Sequence, residues 1–113
     1  MDESLRPSER IRQKRDYLLI YKKGRRYKGR CFTLVYLSNE LSYSRMGVVV
    51  SRKVGNAVER NKIKRWMRAL FRTNKNLLEN PFDLVFIMKK ETLNTKWEDL
   101  RQDYFRSLES ISR

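Results

Sequence analysis

The stretch from Val54 to Arg72, VGNAVERNKIKRWMRALFR, constrains the fold more than any other part of this chain. It has no proline and no glycine beyond Gly55. Stepping roughly 100° per residue, Ile63, Trp66, Met67 and Leu70 fall on one side, the pattern of an amphipathic helix. Asn56 followed three residues later by Glu59 reads as a capping box, which fixes where the helix starts. An apolar stripe of this length has to be buried, and the neighbouring runs 46–53 (MGVVVSRK) and 83–89 (DLVFIMK) are β-branched and strand-like. The helix is therefore expected to lie on a sheet.

Its other side is cationic. Arg60, Asn61, Lys64, Arg65, Arg68 and Arg72 share one arc of roughly 140°. A face that is only solvated usually mixes signs, with Glu four residues before Lys or Arg. Here no acid follows Glu59 until Glu79, so like charges crowd together at a cost to the helix. Guanidinium forks on a rigid rod match a lattice of phosphates. This predicts a nucleic-acid-binding surface.

The charge balance points the same way. The 113 residues carry 27 Lys plus Arg against 13 Asp plus Glu, a formal charge of +14. Residues 1–75 hold 21 basic and 6 acidic side chains, and residues 76–113 hold 6 and 7. Such an imbalance repels itself unless something anionic neutralises it. A membrane is a poor candidate, since the runs Tyr17 to Tyr21, Met46 to Val50 and Leu84 to Met88 are far too short to span one. The first fifteen residues, MDESLRPSERIRQKR, lack an apolar signal core, and Cys31 has no second cysteine to pair with. A soluble, cytoplasmic protein with no membrane partner is expected, with Cys31 as a buried strand residue.

Chemistry is narrowed by what is missing. The chain has no histidine and one cysteine, which excludes His-based acid–base catalysis and a zinc finger. Only Asp16, Glu40 and Glu59 are acidic between Arg10 and Leu78, too scattered to converge on a pair of metals. Four glycines form no phosphate-binding loop. This chain is not expected to cut anything alone, and no protein-bound cofactor is predicted.

One domain fits the length, with residues 1–10 expected to be flexible. Residues 13–23 read as a helix stopping at Gly24, and 25–29 as a short strand or turn. Residues 30–37 alternate, with Phe32, Leu34 and Tyr36 on one face and Cys31, Thr33, Val35 and Leu37 on the other. A polar loop over 38–45, the strand 46–53, the basic helix and the strand 83–89 follow. Thr95 with Glu98 suggests a second capping box, opening a helix with Trp97, Leu100, Tyr104, Leu108 and Ile111 on one side. The fold class is α+β, ordered α-β-β-β-α-β-α, as a two-layer packing of helices on a central mixed sheet.

The run Val54-Gly-Asn-Ala57-Val-Glu-Arg60-Asn61-Lys-Ile-Lys64-Arg65-Trp-Met-Arg68 resembles the signature of the bacterial ribonuclease P protein component. An Ala stands three residues before an Arg-Asn pair, followed by a basic-Arg pair and a further basic residue. The resemblance extends to Arg15-Asp-Tyr17 with Tyr21 and Gly24, to Ser51-Arg52-Lys53, and to Asp83-Leu-Val-Phe-Ile with Lys89-Lys90. It implies a protein subunit that partners a large catalytic RNA and requires no protein partner. The holoenzyme removes the 5′ leader of precursor tRNA by hydrolysis assisted by Mg2+, which the RNA mainly holds. It also implies a left-handed β-α-β crossover around the basic helix, against the usual hand.

Carried over by position, Arg60, Asn61, Lys64, Arg65 and Arg68 would face the catalytic RNA, and Arg72 on the same arc is expected to join them. Tyr17, Tyr21, Thr33, Val35, Arg52, Lys53, Lys89 and Lys90 would hold the leader. From the residues alone, Tyr17 and Tyr21 share a helical face and could be stacking platforms, though an aromatic pair on a helix beside a sheet is more often core. Arg52, Lys53, Lys89 and Lys90 could equally be ordinary polar strand ends. A ribosomal-type structural RNA-binding protein is the alternative reading. A DNA regulator fits less well, because strands rather than a short turn separate the first two helices.

Overall fold

The computed structural model describes residues 5–111. The elements run α1 (Lys14–Lys23), β1 (Arg25–Lys28), β2 (Phe32–Ser38), β3 (Arg45–Val49), α2 (Ala57–Thr73), β4 (Phe82–Met88) and α3 (Trp97–Ile111), with short 3-10 turns at Pro7–Glu9, Lys75–Leu77 and Lys90–Asn94. The four strands form one sheet in the order β1-β2-β4-β3. β1 and β4 both run antiparallel to β2, and β3 runs parallel to β4, so α2 is the crossover joining β3 to β4. The predicted order of elements is the observed one.

The alternation in β2 sorts the core into two unequal layers. Phe32 and Leu34, with Met46 of β3 and Leu84, Phe86 and Met88 of β4, face the stripe Ile63, Met67, Leu70 and Phe71 of α2 and Leu100, Tyr104 and Leu108 of α3. Phe86 anchors it, edge-on to Phe32 at 5.2 Å and stacked on Tyr104 at 5.5 Å. Each such side chain contributes about 1.5–3 kcal/mol by leaving water. On the opposite face a smaller cluster of buried apolar side chains, Ile11, Ile20, Val35 and Val85, lies beneath α1. Helices thus cover both faces, three layers rather than the two expected. The α1 layer is the thin one. Leu18 and Leu19 are 57% and 47% exposed, and Ile20 is the one residue of the ten-residue α1 that is fully buried.

Three local expectations change. The strand predicted over 46–53 ends at Val49, since its partner β4 ends with Ile87 and Met88 and the Lys89 N–H leaves to donate to the Cys31 carbonyl at 2.9 Å. Arg52 and Lys53 therefore sit in a turn closed by Val54 N–H on Ser51 O at 3.1 Å. Thr95 does not cap α3: its hydroxyl donates to Glu91 O at 2.9 Å, and Glu98 pairs with Arg101. Residues 1–4 lie outside the described part of the flexible stretch expected over 1–10. Within the described part, Glu9 is buried against Lys75 at 2.8 Å, and Arg10 bridges Met46 in parallel.

Candidate nucleic-acid interface

The capping box at the start of α2 is present as predicted. Asn56 Oδ1 accepts from Glu59 N–H at 2.9 Å, and Glu59 Oε1 accepts from Asn56 N–H at 3.0 Å. With the helix start fixed and the apolar stripe on the sheet, the cationic arc has to face outward. Asn61, Arg65 and Arg72 are exposed; Arg60, Lys64 and Arg68 are half-buried. Arg60 also donates to Gly55 O at 2.9 Å, tying its guanidinium to the start of the helix. Among the described residues none of Arg60, Lys64, Arg65, Arg68 and Arg72 pairs with a carboxylate. Like charge left unneutralised along a rod is costly in isolation and favourable beside a polyanion.

One residue of this surface was missed in the sequence. Arg10, delivered by the segment bridged to β3, lines a basin of about 490 Å³ together with Leu5, Asn61, Arg65, Arg68, Ala69 and Arg72. Its Nε is buried with no hydrogen-bond partner among the described residues. Burial, and then the nearby Arg10 charge, lower the Arg68 pKa from its ordinary value. The only sequence signal was Ile11, an apolar residue in a polar tail, which is buried and pulls Arg10 in beside it.

The second surface lies along α1. Tyr17 and Tyr21 are half-buried, with ring centroids 6.1 Å apart and planes at 49°. Both pack on the thin layer of Ile11, Ile20, Val35 and Val85, beside the partly exposed Val49 and Ile87. Thr33, half-buried, pairs with Ile87, which pairs in turn with Val49, so these three form one row across the sheet. Each tyrosine is thus packed on this layer and also partly open to solvent. Burial raises both phenol pKa values. Tyr17 Oη donates to Ile11 O at 3.1 Å.

Not every expected leader residue joins this strip. Val35 is 0% exposed, sealed beneath Ile20 and beside Val85, and cannot touch a ligand. Lys89 is half-buried and its Nζ donates to Gly29 O at 2.6 Å, which commits it to the turn between β1 and β2. Lys90, Arg52 and Lys53 are exposed and follow the ends of β4 and β3, at the sheet end where the Thr33–Ile87–Val49 row lies.

The buried carboxylates are occupied. Asp83 accepts from Arg45 at 2.9 and 2.7 Å and from Asn39 at 2.9 Å, Asp16 lies 3.5 Å from the same Arg45, and Asp103 accepts from the backbone N–H groups of Arg30 and Cys31 at 3.3 and 2.8 Å. Among the described residues no three metal-ligating side chains come together, and no helix is long and apolar enough to cross a membrane.

A mixed four-stranded sheet carrying an unneutralised basic crossover helix defines an α+β protein built to face a polyanion. Comparison with known proteins makes this specific. Residues 5–112 match the ribonuclease P family model. The chain is 42% identical over 111 residues to the ribonuclease P protein component of Thermotoga maritima, covering 98% of this chain and 92% of the relative. It is 44% identical over 97 residues to that of Syntrophus aciditrophicus, covering 86% and 82%. Among solved structures, a mutant RNase P protein from Staphylococcus aureus superposes with a TM-score of 0.87 at 30% identity, covering 93% of this chain and 89% of the other. The Thermotoga maritima RNase P protein superposes at 0.81 with 38% identity, covering 88% and 94%. The chain belongs to the ribonuclease P protein family and is a protein component of ribonuclease P.

Proposed function

We propose that the α2 face binds the catalytic RNA of ribonuclease P while the α1 strip holds the 5′ leader of precursor tRNA. The observation that carries this reading is the row of cations on α2 with no carboxylate partner among the described residues. Arg60, Asn61, Lys64, Arg65, Arg68 and Arg72 meet phosphates of the RNA, which positions the protein without reading sequence. Tyr17 and Tyr21 offer open ring faces to unpaired leader bases, with Thr33 beside them and Arg52, Lys53 and Lys90 at the sheet end as phosphate contacts.

Catalysis belongs to the RNA in this reading. Asp16, Asp83 and Asp103 are each held by a guanidinium, an amide or backbone N–H groups, so they do not fit a magnesium site. Magnesium, held mainly by the RNA, supplies the activated water. The protein neutralises phosphate charge and keeps the leader in place, which lowers the magnesium the assembly needs. It works in the cytoplasm, where precursor tRNA is made, and needs no further protein partner.

Reconstitution tests this. With a bacterial ribonuclease P RNA and precursor tRNA at limiting magnesium, adding the protein should restore leader removal, and the protein alone should cleave nothing. Cleavage without the RNA, or no stimulation of it at any magnesium concentration, would overturn the reading.

A further inference from the structure

Gly47 stands in the interior of β3, opposite Val85 of β4 and on the sheet face that α1 covers. A glycine inside a strand gives up side-chain packing and backbone entropy, and usually marks a close approach by another group. Its backbone does not require glycine, because no glycine among the described residues has a positive φ. The approaching group is Tyr17. A Cβ at position 47 would run into Tyr17 Oη and lie 2.9 Å from Cζ and 3.1 Å from Cε1. These are atoms of a rigid ring, not the loose end of a flexible chain.

The ring is fixed from two further sides. Its hydroxyl donates to Ile11 O at 3.1 Å, and the Ile11 N–H donates to Met46 O at 2.9 Å, one residue before Gly47. Tyr21 closes the other side at 6.1 Å. Only the space above Gly47 lets the phenol lie down on β3, and that depth sets the plane it offers beside Val49 and Ile87.

We propose that Gly47 is the positioning residue of the leader site, its missing side chain setting the height and tilt at which Tyr17 meets an unpaired base. The proposal rests on the reading of Tyr17 as a leader contact. A side chain at position 47 lifts the ring, strains the hydroxyl bond to Ile11, and turns the stacking plane away from the row Thr33–Ile87–Val49.

The test is a double-mutant cycle of Gly47→Ala and Tyr17→Ala in the assembled holoenzyme, reading affinity for precursor tRNA and for mature tRNA. The free protein supplies the Tyr17 aromatic resonances by NMR, shifted by the neighbouring Tyr21 ring. Gly47→Ala should move those resonances and weaken leader-bearing tRNA about tenfold, one base stack removed, with mature tRNA changed by less than about twofold. In the Tyr17→Ala background, Gly47→Ala should add less than about twofold, because the colliding ring is gone. If Gly47→Ala alone does not fold, Tyr17→Ala should rescue it, and absence of rescue overturns the proposal. Unmoved resonances overturn the role of Gly47 while leaving Tyr17 as a leader contact. Tyr17→Ala without effect on leader-bearing tRNA overturns the leader reading itself. Equal, additive losses for both tRNAs reduce Gly47 to packing.

Discussion

Tyr104 stacks on Phe86 under α3, and burial pushes its phenol pKa well above the ordinary 10.0. The native state therefore favours the neutral phenol, while the unfolded chain ionises first, near its unperturbed value. Stability from this residue is complete below about pH 10 and is lost as pH rises toward the native pKa. Tyr17 and Tyr21 shift in the same direction, but both are more open to water. Tyr104→Phe should therefore raise the midpoint of alkaline unfolding, followed by circular dichroism from about pH 9 to 12. Coincident curves for the two proteins would mean that another group drives the alkaline transition. At this scale the sequence was legible where a residue's neighbours are local. Arg65 and Arg72 point outward as the helical step requires, and Ile63 and Met67 point inward. It was illegible where burial depends on a distant element. Val35 looked like a site residue because nothing in its strand reveals that Ile20 seals it, and Arg10 reaches the α2 basin only through its bridge to Met46.

At the scale of elements, α2 is a helix because its own residues specify both the start and the buried side. Asn56→Ala removes one arm of the capping box and should cost about 1 kcal/mol, read from the denaturant midpoint at unchanged slope. A loss near zero would assign the helix start to the packing of Val54, which is 2% exposed. The same pattern misleads at α3. Thr95 and Glu98 have the spacing of a box, yet the 3-10 turn Lys90–Asn94 engages the Thr95 hydroxyl first, and the Lys96 carbonyl accepts the first helical bond, from Leu100 N–H at 3.1 Å. β3 is shorter than its β-branched composition suggests for a different reason. A strand extends only as far as its partner, and β4 stops offering one beyond Ile87.

At the scale of the molecule, the order β1-β2-β4-β3 places β4 between two strands that precede it by more than thirty residues. No local pattern specifies that insertion, and the resemblance implied only a crossover around α2, not the order of the strands. Charge, in contrast, is legible along the chain itself. The excess lies in residues 1–75, which contribute α1, α2 and the segment carrying Arg10, while α3 and β4 belong to the nearly neutral remainder. Within residues 1–75 Arg45 and Lys75 are paired with carboxylates, but the cations of the α2 arc have no carboxylate partner among the described residues, and an external polyanion is what neutralises them.

The most direct test of that claim is the salt dependence of affinity for the catalytic RNA, compared between the native chain and Arg65→Ala with Arg68→Ala. Both side chains line the basin on α2, and neither is paired with a carboxylate among the described residues. Removing them should weaken binding and flatten the slope of log affinity against log salt by about 0.7–0.9 for each phosphate no longer neutralised, with thermal unfolding nearly unchanged. The same affinity and the same slope in both proteins would contradict the account and take α2 out of the RNA interface.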